Sequence, residues 1–525
     1  MPTTVVISIG SRTSDSVTVS TVTTTTVAGY ANAWSVVLSA TVPSTTKIGD
    51  KLTTGANDYL IVNISGSTLT VAGDPFTVTT TPSTGAGSTL RSFPSIHTWG
   101  AAAPASLVTK DWVWKGEMYK EGGGTNGEWT FSIDNPVSQT CDATRYFWLT
   151  AATGQSFRDN ASKLTNALRY NNANGVAVSI SGSYARIFTT TGSAAALITG
   201  LQFNRPSTNG FLVVGGGGAV TFDSCIVSAA SGVLSGLANA YNCVFYLSDS
   251  LTGALPNGSS GNLVNNTIYT TGSSITALRY GNYAPTGNII RNNTFFGFTT
   301  IANRFDKINT TNSTYNVTDL AAFGWTATGN LVSKTASNQF TALTGGSEDF
   351  RVKAGADLIN AGTPDATYTS NLDIVGSARS LTTPTIGAWE YPTITYTYSR
   401  PSSDVTTQWT PSTAGPHYAL INETTYNDAN YIYATAAAQT DEVGLQAMTA
   451  PQAGTSVLVN YRVQGIAGGG SVTVSLYSGA TLVKTDTTRT TNNDAITPIY
   501  TMTVTPAEWA SVTNWSNMRL RFVSA

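Results

Sequence analysis

Carboxylates are the first residues of this chain that could carry chemistry. Cleaving a glycosidic bond takes two of them, about 5–5.5 Å apart for retention of configuration and about 6.5–9.5 Å apart for inversion. Two pairs are close enough in sequence to weigh: Glu117 with Glu128, and Asp223 with Asp249. Neither spacing brings its members to the same point of a repeating element. Both pairs read as turn carboxylates on a solvated face, and no catalytic residue is assigned. A lyase would need a base among cations that neutralise a uronate. His97 and His417 stand apart from any basic cluster, and His97, beside Trp99, reads as a packed cap residue. No GxSxG elbow, P-loop or dinucleotide fingerprint occurs. Cys141, Cys225 and Cys243 form no CxxC and no even framework, so they are expected as buried apolar thiols, with no metal site and no cofactor.

Aromatics offer a binding chemistry instead. Trp112, Trp114 and Tyr119, with Glu117 and Lys120 near, could stack on a carbohydrate. In a strand Trp112 and Trp114 point the same way, so both are inside or both outside. A domain junction would bury them and is the expected place; an exposed carbohydrate-binding surface is the alternative. The run Gly215–Gly218 reads as a tight turn or a mobile loop. It cannot cradle phosphate, because no helix pattern follows it.

The elements that must position these residues are strands. Only 11% of the 525 residues are charged and 41% are hydrophobic, with 49 glycines. An average globular chain carries about 25% charge, and disorder needs low hydrophobicity with high net charge. Thr, Val, Ile and aromatics favour strands, while Gly, Asn and Ser punctuate turns. The formal net charge is −2 with no basic run, which speaks against a nucleic-acid partner. No stretch approaches the roughly 18 apolar residues that span a bilayer. The start, MPTTVVISIGSRTSDS, has neither the basic nor the apolar region of a secretory signal, so a soluble protein made in a cytoplasm is expected.

A repeat organises the middle of the chain. LVNNTIYT (263–270) and IRNNTFFG (290–297) share Asn-Asn-Thr followed by two large hydrophobics. Weaker copies begin at Ser224, Asn242 and Ser313. Aligning Ser224, Asn242, Asn266, Asn293 and Ser313 gives intervals of 18, 24, 27 and 20 residues. Self-similarity at such periods marks stacked repeats. Leu periodicity and helical patterning are both missing, so a right-handed parallel β-helix is expected over residues 96–392. Parallel strands stack at about 4.8 Å, and Asn242, Asn266 and Asn293 would then form one ladder of amides. The two Asn-Asn-Thr triplets also match the glycosylation acceptor pattern, but read as structure.

Residues 1–95 alternate strand, Gly-containing turn and strand, as in IGDKLTTGANDYLIVNISGSTLTV (48–71). A small barrel or hairpin attachment domain is expected, with Thr21–Thr26 and Thr77–Thr81 as strands. Residues 393–525 carry longer alternating strands, as in SVLVNYRVQGIAGGGSVTVSLYSG, and read as a separate β-sandwich.

Resemblance adds a family. DFRVKAGADLINAGTPD (349–365), Asp373-Ile-Val-Gly-Ser-Ala-Arg379 and Ile386-Gly-Ala-Trp-Glu390 resemble the closing coils of many β-helix proteins. TWGAAAPASLVTKDWVWKGEMY (98–119) resembles an opening coil, and residues 147–180 are similar to early coils of bacteriophage β-helix proteins. Asn427–Tyr433, Asp441–Leu445 and Trp515–Phe522 resemble the jelly-roll domains that close many tailed-phage virion proteins. The resemblance implies a structural protein of the virion surface, assembled in the host cytoplasm: a tail fibre or spike contacting the host. A capsid decoration or head-fibre protein is the alternative, and a polysaccharide depolymerase, a glycoside hydrolase or lyase, the one that is enzymatic. It also implies other virion proteins as partners, a host surface glycan as ligand, and a homotrimer.

If the C-terminal module is independent, residues 393–525 expressed alone will melt cooperatively as a β fold. Circular dichroism of that fragment tests the boundary, and an unfolded fragment would abolish it.

Overall fold

The computed structural model describes residues 2–525 except 132–135, 160–164, 182–185, 192, 207–212, 231–233, 249–260, 273–275, 279–285, 393–397, 423–428, 452–455, 465–469 and 492–498. The chain is all-β, and the helices among the described residues span three to six residues. It falls into two compact units, Met1–Pro392 and Thr393–Ala525.

In the first unit each tier of chain gives one short strand to each of two parallel sheets. Val213–Asp223 is followed by Ile226–Ala229, Leu234–Tyr241 by Val244–Leu247, Leu263–Val264 by Thr267–Thr270, and Ile290–Arg291 by Thr294–Phe296. The first strand of each tier joins sheet 1 and the second joins sheet 2. Gly215–Gly218 lies inside the strand Val213–Asp223, so it is not a turn; the pairing slips there, between Gly215 and Val220. Glycines leave a strand free to bulge.

The Asn-Asn-Thr triplets occupy equivalent places, since Thr267 pairs with Thr294. The expected alignment is nevertheless one residue out at Asn242. Val244 pairs with Thr267, which sets Cys243 in line with Asn266 and Asn293; the column continues to Asn316, not Ser313. Asn242 lines up instead with Ser224, Asn265, Asn292 and Tyr315. These five residues have φ of 55°, 52°, 58°, 54° and 56°. The left-handed backbone turns the chain from sheet 1 into sheet 2, and Asn is among the few non-glycine residues at ease there.

The amide ladder sits one step further on, fully buried. Asn266 Nδ2 donates to Asn293 Oδ1 at 2.9 Å, and Asn293 Nδ2 to Asn316 Oδ1 at 3.2 Å. Each oxygen also takes a backbone N–H from the preceding tier: Cys243 N to Asn266 and Asn266 N to Asn293, both 2.9 Å. Each nitrogen also serves a carbonyl, Ala240 from Asn266 and Leu263 from Asn293, both at 2.8 Å. Cys243 extends the column with sulfur as a weak acceptor, 3.4 Å from the Cys225 N–H. All three cysteines are buried and free.

The segment expected to supply closing coils does something else. Residues 336–391 lie across the outer face of sheet 2, where Phe350, Leu358, Ile374, Ile386 and Trp389 cover Ile226, Val244, Phe296 and Val317. The strap also reads the left-handed corners. Gly387 N donates to Asn292 O at 2.9 Å, Thr363 N to Asn292 Oδ1 at 3.0 Å, and Arg379 Nη2 to Asn242 Oδ1 at 3.2 Å. Arg379 is held by Glu390 and by the carbonyls of Thr385, Gly387 and Ala388. Burial pushes the carboxyls of Asp373 and Glu390 upward, against the pull of this guanidinium.

The N-terminal region is not one domain over 1–95. Thr3–Ile9 is the end strand of sheet 1, paired in parallel with Trp112–Met118. Its alternating Val5, Ile7 and Ile9 are fully buried, and a lone strand can bury them only by joining a sheet. A closed six-stranded antiparallel barrel follows between Asp15 and Leu90. Thr77–Thr81 is not a strand: Thr77 has φ 58° and Val78 N returns to Gly73 O at 3.1 Å, so turn geometry overrides threonine's propensity. Asp50, fully buried, pins both crossings into the barrel, accepting from Arg12 Nη2 at 2.9 Å and from Arg91 Nη1 at 2.9 Å. At the far end Phe323 and Trp325 close the interior beside Phe295 and Phe305.

The second unit holds an antiparallel sheet built from Pro401–Thr407, Thr440–Leu445, Met518–Ser524, Gly470–Ser478, Thr481–Thr485 and Arg489–Thr491. A second pair, Val457–Tyr461 with Tyr500–Val504, shares its core through Val459, Met502, Val474 and Leu476.

Replacing Asn266 with Asp puts a charge among saturated, buried amides and should cost roughly 3 kcal/mol or more. Asn242→Gly should cost less, because glycine takes the left-handed backbone of that corner, φ 52°, without strain. Denaturant melts of the two variants check this, and equal losses would contradict the register.

Candidate functional site

Strand alternation decides what sheet 1 shows to solvent. In Trp112–Met118 the residues Trp112, Trp114, Gly116 and Met118 face inward, leaving Lys115 and Glu117 outside. In Phe147–Ala151, Phe147 and Leu149 are buried while Trp148 and Thr150 face out, each half-buried. Register carries these outward positions from strand to strand. Glu117 pairs with Thr150, Thr150 with Thr199, and Thr199 with Asp223. Lys115 pairs with Trp148.

Around this row lies an open groove of about 380 Å³, lined by Lys115, Glu117, Thr150, Ser156, Arg158, Asp159 and, from the strap, Val375 and Gly376. Lys115 Nζ meets Glu117 Oε1 at 2.7 Å and stands 4.4 Å from the centre of the Trp148 ring. Trp148 Nε1 donates to Thr199 Oγ1 at 2.9 Å, which fixes the indole's orientation beside the groove. The Asp159 carboxylate is turned onto the amides of Gly154 and Ser156, at 2.9 and 3.4 Å. Burial raises the Asp223 carboxyl; Ser224 Oγ, which donates at 2.8 Å, and the Arg158 charge draw it down.

Glu117 and Asp223 share a row but stand three strand spacings apart, about 14 Å, beyond the reach of either glycosidase geometry. Glu128 lies on another element, beside the Tyr170 hydroxyl and Asn172. Asp249 lies outside the described residues, as does part of Asn427–Tyr433. Among the described residues no three His, Cys, Asp or Glu side chains gather as metal ligands, and no helix is long and apolar enough to cross a membrane.

The aromatics Trp112, Trp114 and Tyr119 are buried, as a junction requires, and the alternative of a carbohydrate-binding surface is corrected. Trp112, Trp114 and Tyr119 are 2%, 0% and 7% exposed, so none offers a face to a sugar. Trp112 Nε1 reaches Gly29 O in the barrel at 3.1 Å, Trp114 stacks on Trp112, and Arg91 lies over the Tyr119 ring. They glue the barrel to the first tier. Half-buried His97 lies in the short helix Ile96–Ala101, and His417, buried in the second unit, bonds Asp441 through Nδ1 at 2.7 Å. Sequence reasoning missed Trp148, Arg158 and Thr199. The phase of FWLTA was a usable signal for the first, because its Trp falls on the polar side of the alternation. Arg158 comes from a turn, and only the folded chain brings it to the row.

No family model, curated protein or solved structure matches the chain.

Asp223 yields a pH prediction. Its folded pKa lies above the unfolded one, so ionising it costs stability as pH rises through the acid range. Asp223→Asn removes that cost. The variant should gain stability relative to the parent between pH 3 and 7, read by urea melts at both; a gap that shrinks with rising pH would contradict the buried carboxyl.

Proposed function

We propose that this chain is a structural, non-enzymatic protein of a tailed-phage virion surface, a tail fibre or spike that contacts the host. In this reading the tiers form a right-handed parallel β-helix, the barrel region docks to other virion proteins, and the second unit is a jelly roll. Three copies stand side by side as a homotrimer. The observation that carries the reading is the stack of tiers with saturated corners, closed at one end by the barrel and at the other by aromatic residues. Such a body pairs the backbone groups of its described corners internally, which suits a particle that must persist outside the cell. Support also comes from sheet 1, whose outward row is polar and grooved yet holds Glu117 and Asp223 too far apart for glycosidic cleavage. That weighs against a depolymerase.

An electron-microscopy reconstruction of purified particles tests the proposal. Density for the tiers in threefold sets on the tail is the expected result. Density spread over the capsid lattice would make this a decoration protein, and a particle lacking the chain would overturn the virion reading.

A further inference from the structure

We propose that the last rung of sheet 2 is a docking edge for an extended segment of another protein, which adds as one further parallel strand. The inference goes beyond the virion reading and takes from it only the supply of partner chains. The stack does not end at Asn316, because residues 328–332 begin one more tier. Gly329 repeats the left-handed corner at φ 73°, and Asn330 repeats the ladder, its Oδ1 taking the Asn316 N–H at 2.9 Å. Leu331 pairs in parallel with Val317; its N–H reaches Asn316 O at 2.8 Å, and its carbonyl accepts from Thr318 N at 3.0 Å. All these bonds point back into the stack.

The forward bonds are what this tier lacks. In earlier tiers the corner N–H finds a carbonyl of the next tier, as Asn265 does at Arg291 and Asn292 at Thr314. The ladder N–H finds the next amide oxygen, as Asn266 does at Asn293 and Asn293 at Asn316. Among the described residues no oxygen is bonded to Gly329 N, Asn330 N or Val332 N, and the buried Asn330 Nδ2 has no partner. Val332 continues the inward column of Ile268, Phe295 and Thr318. Yet it is 38% exposed, where Ile268 and Phe295 are fully buried. The rung thus sets four donors against two forward carbonyls, those of Asn330 and Val332. A partner strand must bring the excess of oxygen: two backbone carbonyls for Gly329 and Val332, and for Asn330 a side-chain oxygen, which Asn or Asp supplies. Unpaired strand edges template such additions. The occupant is a different protein because the opposite end of the stack carries the barrel, tied to the first tier through Trp112 and Arg91. A second copy would have to displace the barrel to add head to tail.

The probe is the octapeptide LVNNTIYT, the chain's own tier phrase (263–270), labelled with a fluorophore and titrated with the full chain. In register, the peptide's Asn266 oxygen meets Asn330 N and its Ile268 covers Val332. Saturable binding is expected, at least fivefold weaker for the Asn266→Ala peptide and no weaker for the Asn266→Asp peptide. Val332→Pro in the full chain removes one forward N–H and should also weaken binding at least fivefold. If that variant does not fold, the peptide exchanges carry the test on the unaltered chain. Hydrogen exchange of the free chain is measured alongside, and the amides of 328–332 should exchange far faster than those of Thr294–Phe296. Slow exchange at 328–332, no saturable binding, or binding indifferent to Asn266→Ala would overturn the docking edge. Self-association of the chain that Val332→Pro abolishes would make the occupant a second copy and overturn the partner assigned. None of these readouts involves the particle, so a chain absent from virions would fail the virion reading alone.

Discussion

The structure depends on one problem of hydrogen bonding. A chain that leaves one parallel sheet and enters another must turn inside the protein, and the residues at the turn lose their ladder partners. Buried peptide groups left unpaired cost about as much as a lost hydrogen bond each. Here the solution is local and repeated. A left-handed residue makes the corner, and the next side chain, Asn266, Asn293 or Asn316, takes the N–H of the tier before it while giving to that tier's carbonyl and to the next amide. One side-chain amide replaces two missing backbone partners and links itself to the next amide. With the corners saturated, strands of two to four residues suffice, because no tier has to stand alone.

The corners also govern the outside. A left-handed turn leaves a carbonyl and an Asn side chain facing away from the interior, and the strap uses both at Asn292. Its Arg379 is buried with Glu390 and close to Asp373. A buried ion pair of this kind is weak as a source of stability; its use here is positional, since the guanidinium has one place where six oxygens accept it. The apolar contacts of Phe350, Ile386 and Trp389 hold the strap down, and the Arg379 bonds set where it lies. Sheet 2 is thereby covered where the strap lies, and sheet 1 keeps an open groove.

Much of this was legible in the chain as letters. The charge-poor, Thr- and Asn-rich composition called for strands, and Asn-Asn-Thr at two places 27 residues apart marked equivalent positions on stacked tiers. The pairing of Trp112 with Trp114 on one face followed from a period of two. The placement of Asn242 was missed because both Asn columns are spelled by the same letter. Only backbone geometry separates the left-handed Asn from the ladder Asn beside it, and at Cys243 the ladder changes residue type altogether. The strap was read as further tiers for a related reason: alternating apolar residues cover the outside of a sheet as readily as they line its inside.

What the sequence determined by itself was periodicity: which residues alternate, which phrases recur and where turns fall. These are properties of a chain with fixed rise and pleat, so they survive without knowledge of neighbours. What only the tertiary structure decided was adjacency between tiers and the use of each face. Whether Trp112 and Trp114 lie at a junction or on a surface depends on the barrel and tiers packed against them. Whether Glu117 and Asp223 cooperate depends on the number of strands between them, and loops of unequal length hide that number from the sequence.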